Sequence, residues 1–112
     1  MKKLQIILRL ETVDQVMDAL TAIGIGGATA MEVRGFGRQR GHTEIYRSQT
    51  TEVDFRSKIM LEMVMEDEKV DQAVQVIMNH ARTGHVGDGK IFILPVEEAI
   101  RIRTGESGAA AL

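Results

Sequence analysis

The chain has 112 residues, 44% hydrophobic and 27% charged, with no cysteine. That length suits one domain, the composition excludes a disordered or fibrous chain, and the lack of cysteine excludes disulfides and thiolate chemistry. Fourteen Lys and Arg against sixteen Asp and Glu leave a formal charge of -2, which excludes a global basic field for nucleic acid or anionic membranes, so any anion site must be local.

From Leu4 to Leu10, Leu4, Ile6, Leu8 and Leu10 alternate with Gln5, Ile7 and Arg9, the period of a strand with one buried face. Lys2 and Lys3 precede this stretch, but Arg9 and Glu11 interrupt it too early for a signal-peptide core. No run approaches the ~18 apolar residues of a membrane span, so the chain is expected to be cytoplasmic and not membrane-inserted. Thr12 reads as an N-cap with Gln15 three residues on, and Val13, Val16, Met17 and Leu20 follow at helical spacing until Gly24. Gly24, Gly26 and Gly27 lead into a second strand, roughly 28–34.

A third strand is predicted over 57–65, where Ile59, Leu61, Met63 and Met65 alternate with Lys58, Met60, Glu62 and Val64. Asp67 can cap a second helix carrying Val70, Ala73, Val74, Ile77 and Ala81 at the 3.6 period. A glycine-rich link then reaches a fourth strand at Ile91–Leu94. The order is βαβ twice, a weak internal duplication of the α+β, ferredoxin-like βαββαβ class, with a short strand added near 100–103 and a loose tail from Gly105. Met17, Met60, Met63, Met65 and Met78 read as core packing. Between strands two and three lie about twenty residues, 35–55, with little apolar periodicity, a length that marks a functional or disordered segment.

The link Gly84-His85-Val86-Gly87-Asp88-Gly89-Lys90 fits the GxxxxGK part of a phosphate-binding motif. Ile91, however, replaces the magnesium-holding Ser or Thr, and the loop runs from helix into strand rather than the reverse. A hydrolytic P-loop is thereby disfavoured. Two readings remain: a tight turn, or a loop whose glycines let backbone amides approach an anion while Lys90 supplies charge. Arg101 and Arg103, two apart on the expected last strand, would share a face. With Lys90 and Arg38 they offer four positive charges, which suits a nucleoside triphosphate, although arginines on an edge strand also discourage edge pairing. His42, His80 and His85 lack metal-site spacing, and no Ser/His/Asp or paired-carboxylate set stands out. His80 and His85 read as surface residues near a helix end.

Residues 34–41 begin like the RNP octamer of RNA-recognition domains. Arg38 nevertheless stands where an aromatic is needed, and the first strand has no aromatic for base stacking. An RNA-binding module and a weak ATPase dependent on Lys90 are therefore secondary readings.

Three separated segments resemble the PII family of nitrogen-regulatory signalling proteins in one frame across the whole chain: Glu32–Glu44, then Ala81–Gly84 through Gly87–Phe92, and Ile100–Glu106. The resemblance implies a single PII-like domain over 1–112, with a T-loop at 35–55, a B-loop at 82–90 and a C-terminal loop and tail at 102–112. It implies a non-enzymatic homotrimer that binds ATP or ADP between subunits. Gly87, Asp88, Gly89 and Lys90 would hold the phosphates with Arg101 and Arg103 of a neighbour. Thr29, Gly35, Gly37, Arg38, Glu62 and Val64 match the remaining nucleotide-pocket positions. Gln39 matches the ligand of Mg beside 2-oxoglutarate, and Lys58, with Gly87, matches positions serving that effector. Ligand state would be reported to protein targets through the T-loop.

Two departures stand out. Thr51 occupies the place of the family's uridylylated tyrosine and has no phenol, so that modification is not expected; the segment Tyr46–Thr51 also lacks the usual Gly and Ala. Arg9-Leu10 replaces the customary Lys-Pro. The altered loop tip leaves open a target other than an ammonium transporter, including a different membrane transporter.

Overall fold

The computed structural model describes residues 1–36 and 55–112. Four strands, β1 (Lys2–Leu8), β2 (Thr29–Gly35), β3 (Arg56–Met65) and β4 (Gly89–Pro95), form one sheet in the order β2-β3-β1-β4. Every neighbouring pair is antiparallel: Ile6 opposes Leu61 and Ile91, and Met31 opposes Met60. Two helices, α1 (Val13–Ala22) and α2 (Asp67–Ala81), each link a strand to the next but one in the sheet. This is the expected two-layer βαββαβ architecture.

The alternation along β1 and β3 dictates the layers. Leu4, Ile6, Leu8, Leu61, Met63 and Met65 bury against Val16 and Leu20 of α1 and Val70, Ala73, Ile77 and Ala81 of α2. Burial of such side chains stabilises by roughly 1.5–3 kcal/mol each, so this single interface dominates the fold. The other sheet face carries Lys3, Gln5, Ile7, Lys58, Met60, Glu62, Lys90 and Phe92 by the same period of two. Met60 therefore belongs to the open face rather than the helix-packed core.

Three local expectations are corrected. Leu10 is exposed, because β1 ends at Leu8 and the chain turns through a 3₁₀ segment, Leu10–Thr12. Thr12 makes no side-chain cap to α1; its hydroxyl instead donates to the Arg9 carbonyl at 3.0 Å. The strand expected near 100–103 is a turn closed by an isolated bridge between Ile100 and Ser107. There the Gly105 amide donates to the Arg101 carbonyl at 2.7 Å, and a 3₁₀ turn, Gly108–Ala111, orders part of the tail.

Helix α1 has no basic residue in its last turn. Lys69 of α2 fills that role by donating its Nζ to the Ile23 carbonyl at 2.7 Å, which places a cation at the negative end of the helix dipole. Lys69→Met should cost about 1 kcal/mol, read as an earlier urea midpoint with unchanged slope. Among the described residues no helix is long and apolar enough to cross a membrane.

Candidate functional site

The link from α2 to β4 is built around one carboxylate. Asp88 accepts the Thr83 amide at 2.7 Å and the Gly84 amide at 2.9 Å, and also the Thr83 hydroxyl. The Thr83 hydroxyl oxygen in turn accepts the His85 amide at 3.2 Å. With so many donors aimed at it, and the Thr83 hydroxyl foremost, the Asp88 carboxyl is held well below the usual carboxylate range against an opposing effect of burial. Gly84 and Gly87 adopt positive φ of 88° and 101°, conformations that favour glycine and let the link turn sharply.

Two cations fasten consecutive carbonyls of this loop to the sheet. Arg9, just past β1, donates from Nη2 to the Val86 carbonyl at 2.7 Å and from Nε to Asp88 at 3.4 Å. Lys58 of β3 donates from Nζ to the Gly87 carbonyl at 2.7 Å. Lys58 is buried although charged; burial first, and then the nearby Arg9 charge, lower its pKa. An ammonium carries three donors, and among the described residues one of those of Lys58 goes to the Gly87 carbonyl.

Lys58, Lys90 and the loop thus meet at the end of the sheet where Leu8 pairs with Gly89. Gly35, opposite Arg56, lies toward this same end of β2 and β3. The other predicted residues do not join them. Thr29 pairs with Glu62, which stands opposite Gln5 at the middle of β1, and Val64 pairs with Lys3 toward the opposite end. Six residue steps separate Thr29 from Gly35 along β2, about 20 Å at ~3.3 Å per residue. Glu62 accepts from Lys3 at 2.9 Å and Gln5 at 3.3 Å, and the Lys3 contact is the main reason its pKa is lowered.

Arg101 and Arg103 sit beyond Pro95, which pairs with Lys2 at that far end. Arg101 meets Glu106 at 3.4 Å and the Leu112 carbonyl at 2.9 Å, while Arg103 is exposed in the turn. Sharing one strand face, as expected for this pair, does not hold. Gly37, Arg38, Gln39, His42, Ser48, Thr50 and Thr51, and with them most of the 35–55 segment, lie outside the described residues. His80 and His85 are exposed near the end of α2, as expected.

Sequence reasoning missed the parts played by Arg9 and Thr83. Arg9 registered only as a departure from Lys-Pro, and its contact to Asp88 spans 79 positions. Among the described residues no group of three or more His, Cys, Asp or Glu could hold a metal ion.

The fold and the loop together define a ferredoxin-like α+β domain with a glycine-built, cation-fastened loop at one sheet end. Comparison with known proteins narrows this class. Residues 1–106 match the family model described as nitrogen regulatory protein P-II. Nitrogen regulatory protein P-II of Azospirillum brasilense is 51% identical over 112 residues, covering 100% of both chains. That of Haemophilus influenzae is 52% identical with the same coverage. The crystal structure of Arabidopsis thaliana PII bound to citrate superposes with a TM-score of 0.82 at 40% identity, covering 99% of this chain and 91% of that one. The chain belongs to the P-II family of nitrogen regulatory proteins, which are signal-transduction regulators and not enzymes.

Proposed function

We propose that this P-II protein is a homotrimeric, cytoplasmic sensor of ATP and ADP that binds 2-oxoglutarate with Mg. It regulates nitrogen-metabolism or transporter partners through residues 35–55. The observation that carries the reading is the spread of the matched residues along one sheet, away from the anion loop. Gly35, Lys58, Gly87, Gly89 and Lys90 cluster toward one end, whereas Thr29 and Glu62 stand level with Gln5 at the middle of β1, Val64 lies further on opposite Lys3, and the chain leaves β4 at Pro95 before it reaches Arg101 and Arg103. A nucleotide would meet both groups most directly where the loop of one copy faces the sheet and the Arg101–Arg103 turn of another. The open sheet face also exposes Met31, Phe92 and Leu94, apolar surface suited to contact between copies.

Within each pocket, loop amides and Lys90 would serve the phosphates, with Arg101 and Arg103 arriving from the neighbour. Asp88 shapes the loop rather than touching phosphate with its carboxylate, since like charges would repel. Lys58 would serve the distal carboxylate of 2-oxoglutarate beside Gly87. Citrate in the Arabidopsis relative supports recognition of a small polycarboxylic acid. Mg, held by Gln39 and phosphate oxygens, would supply the charge that joins the two anions. Ligand then changes target capture only through different affinities for the free and the target-bound protein.

Calorimetry tests this directly. ATP should bind, 2-oxoglutarate should add heat only when ATP and Mg are present, and Gln39→Ala should lose the second signal while keeping the first. A monomer by light scattering, or no heat with ATP, would overturn the reading. Pull-down with residues 37–54 deleted tests the reporter role, and loss of target capture is expected.

A further inference from the structure

We propose that Arg9 is the positioning residue of the anion loop, strapping Val86 and Asp88 to the end of β1 so that the loop is shaped before ligand arrives. The proposal rests on the nucleotide reading above only for its binding consequence.

Arg9 is well placed to act as a strap because its own backbone is fixed. Its carbonyl accepts both the Thr12 amide at 3.2 Å and the Thr12 hydroxyl at 3.0 Å, and Thr12 is buried. The chain therefore leaves β1 in one direction and presents the guanidinium across the sheet end toward the loop. One planar group then makes two different contacts, to the Val86 carbonyl at 2.7 Å and the Asp88 carboxylate at 3.4 Å. The fork geometry of guanidinium serves two acceptors at once, which a lysine point charge does less well.

The two acceptors have complementary parts in the loop. Asp88 gathers the Thr83 and Gly84 amides, so holding Asp88 fixes the loop's entrance. Val86 immediately precedes Gly87, whose carbonyl is held by Lys58 at 2.7 Å. Arg9 and Lys58 thus draw successive carbonyls toward the sheet. Without Arg9 one of these restraints is lost, together with its contact to the Asp88 carboxylate. Arg9 needs no contact with ligand to matter, because an anion site made of backbone amides is only as good as the backbone's preorganisation.

Amide hydrogen exchange on the nucleotide-free protein tests the strap, and calorimetry with ATP and with adenosine tests its consequence. In Arg9→Met the Thr83 and Gly84 amides should exchange at least about tenfold faster, with Ile6 and Leu61 in the core unchanged, the scale set by one lost charge-assisted hydrogen bond. ATP affinity should fall about tenfold for the same reason, while adenosine affinity stays level. Arg9→Lys should recover part of both effects. Should Arg9→Met not fold, Arg9→Gln carries the same measurements.

Unchanged loop exchange in a folded Arg9→Met or Arg9→Gln protein overturns the proposal. Uniformly faster exchange across the sheet also overturns it, by reducing Arg9 to a general stabiliser. If the wild-type protein binds no ATP, the nucleotide reading fails, and loop-confined exchange still supports the strap.

Discussion

Gly89→Ala should destabilise the protein by about 3 kcal/mol or more, the range reserved for a clash with no room to relax, and should abolish ATP heat at concentrations that saturate the wild type. A Cβ at position 89 would lie 1.8 Å from the Ile7 carbonyl oxygen and 2.9 Å from its carbonyl carbon. Both are backbone atoms of β1, so no side-chain rotation relieves the contact. The backbone there has φ +116°, a region other residues rarely adopt. Either β4 moves off β1, breaking the pairing that begins at Leu8 and Gly89, or the link from Thr83 is redrawn. Gly84→Ala is the control. Its φ is +88° with nothing within 4 Å of the added Cβ, so only conformational strain of about 1 kcal/mol is expected. Equal urea midpoints for the two variants would refute the close approach.

The same contrast shows what a sequence can disclose. Leu4, Ile6 and Leu8 were readable because burial on one face imposes a period of two, and α2 because Val70, Ala73 and Ile77 recur at helical spacing. Ile100 to Arg103 misled through the same rule. Its alternation looks like a half-buried strand, yet Ile102 is fully exposed at 100% and Ile100 lies in an isolated bridge. An apolar pattern specifies that surface is to be covered, and it does not say whether the cover comes from the same chain. The glycine loop was legible by composition, while the direction of its cations was not. Arg9 meets Asp88 only because antiparallel pairing of β1 with β4 brings position 8 beside position 89. Local spacing carries no trace of that. Likewise, how far apart along the sheet the residues matched to one pocket lie is fixed only by the strand register.

Asp88→Ala should cost about 2 kcal/mol, because the Thr83 and Gly84 amides and the Arg9 guanidinium lose their shared acceptor, partly replaced by water at this accessible site. Asp88→Asn keeps an oxygen for one amide but turns an NH₂ toward a cluster of donors, so it should recover little. The pH dependence separates charge from shape. The Asp88 carboxyl is depressed in the folded chain, first by the Thr83 hydroxyl and then by the two amides and Arg9, with burial opposing. A depressed carboxyl contributes stability that is fully present above its unfolded pKa of about 4, and that is lost as pH falls below that value toward the folded one. The wild-type advantage over Asp88→Asn should therefore be level between about pH 5 and 7 and shrink below about pH 4. Glu62 and Asp67 are also depressed and steepen acid unfolding in both proteins, so only the difference between the two curves reports Asp88. A difference that stays constant down to about pH 2.5 would mean that the loop is held by the shape of the side chain and not by its charge.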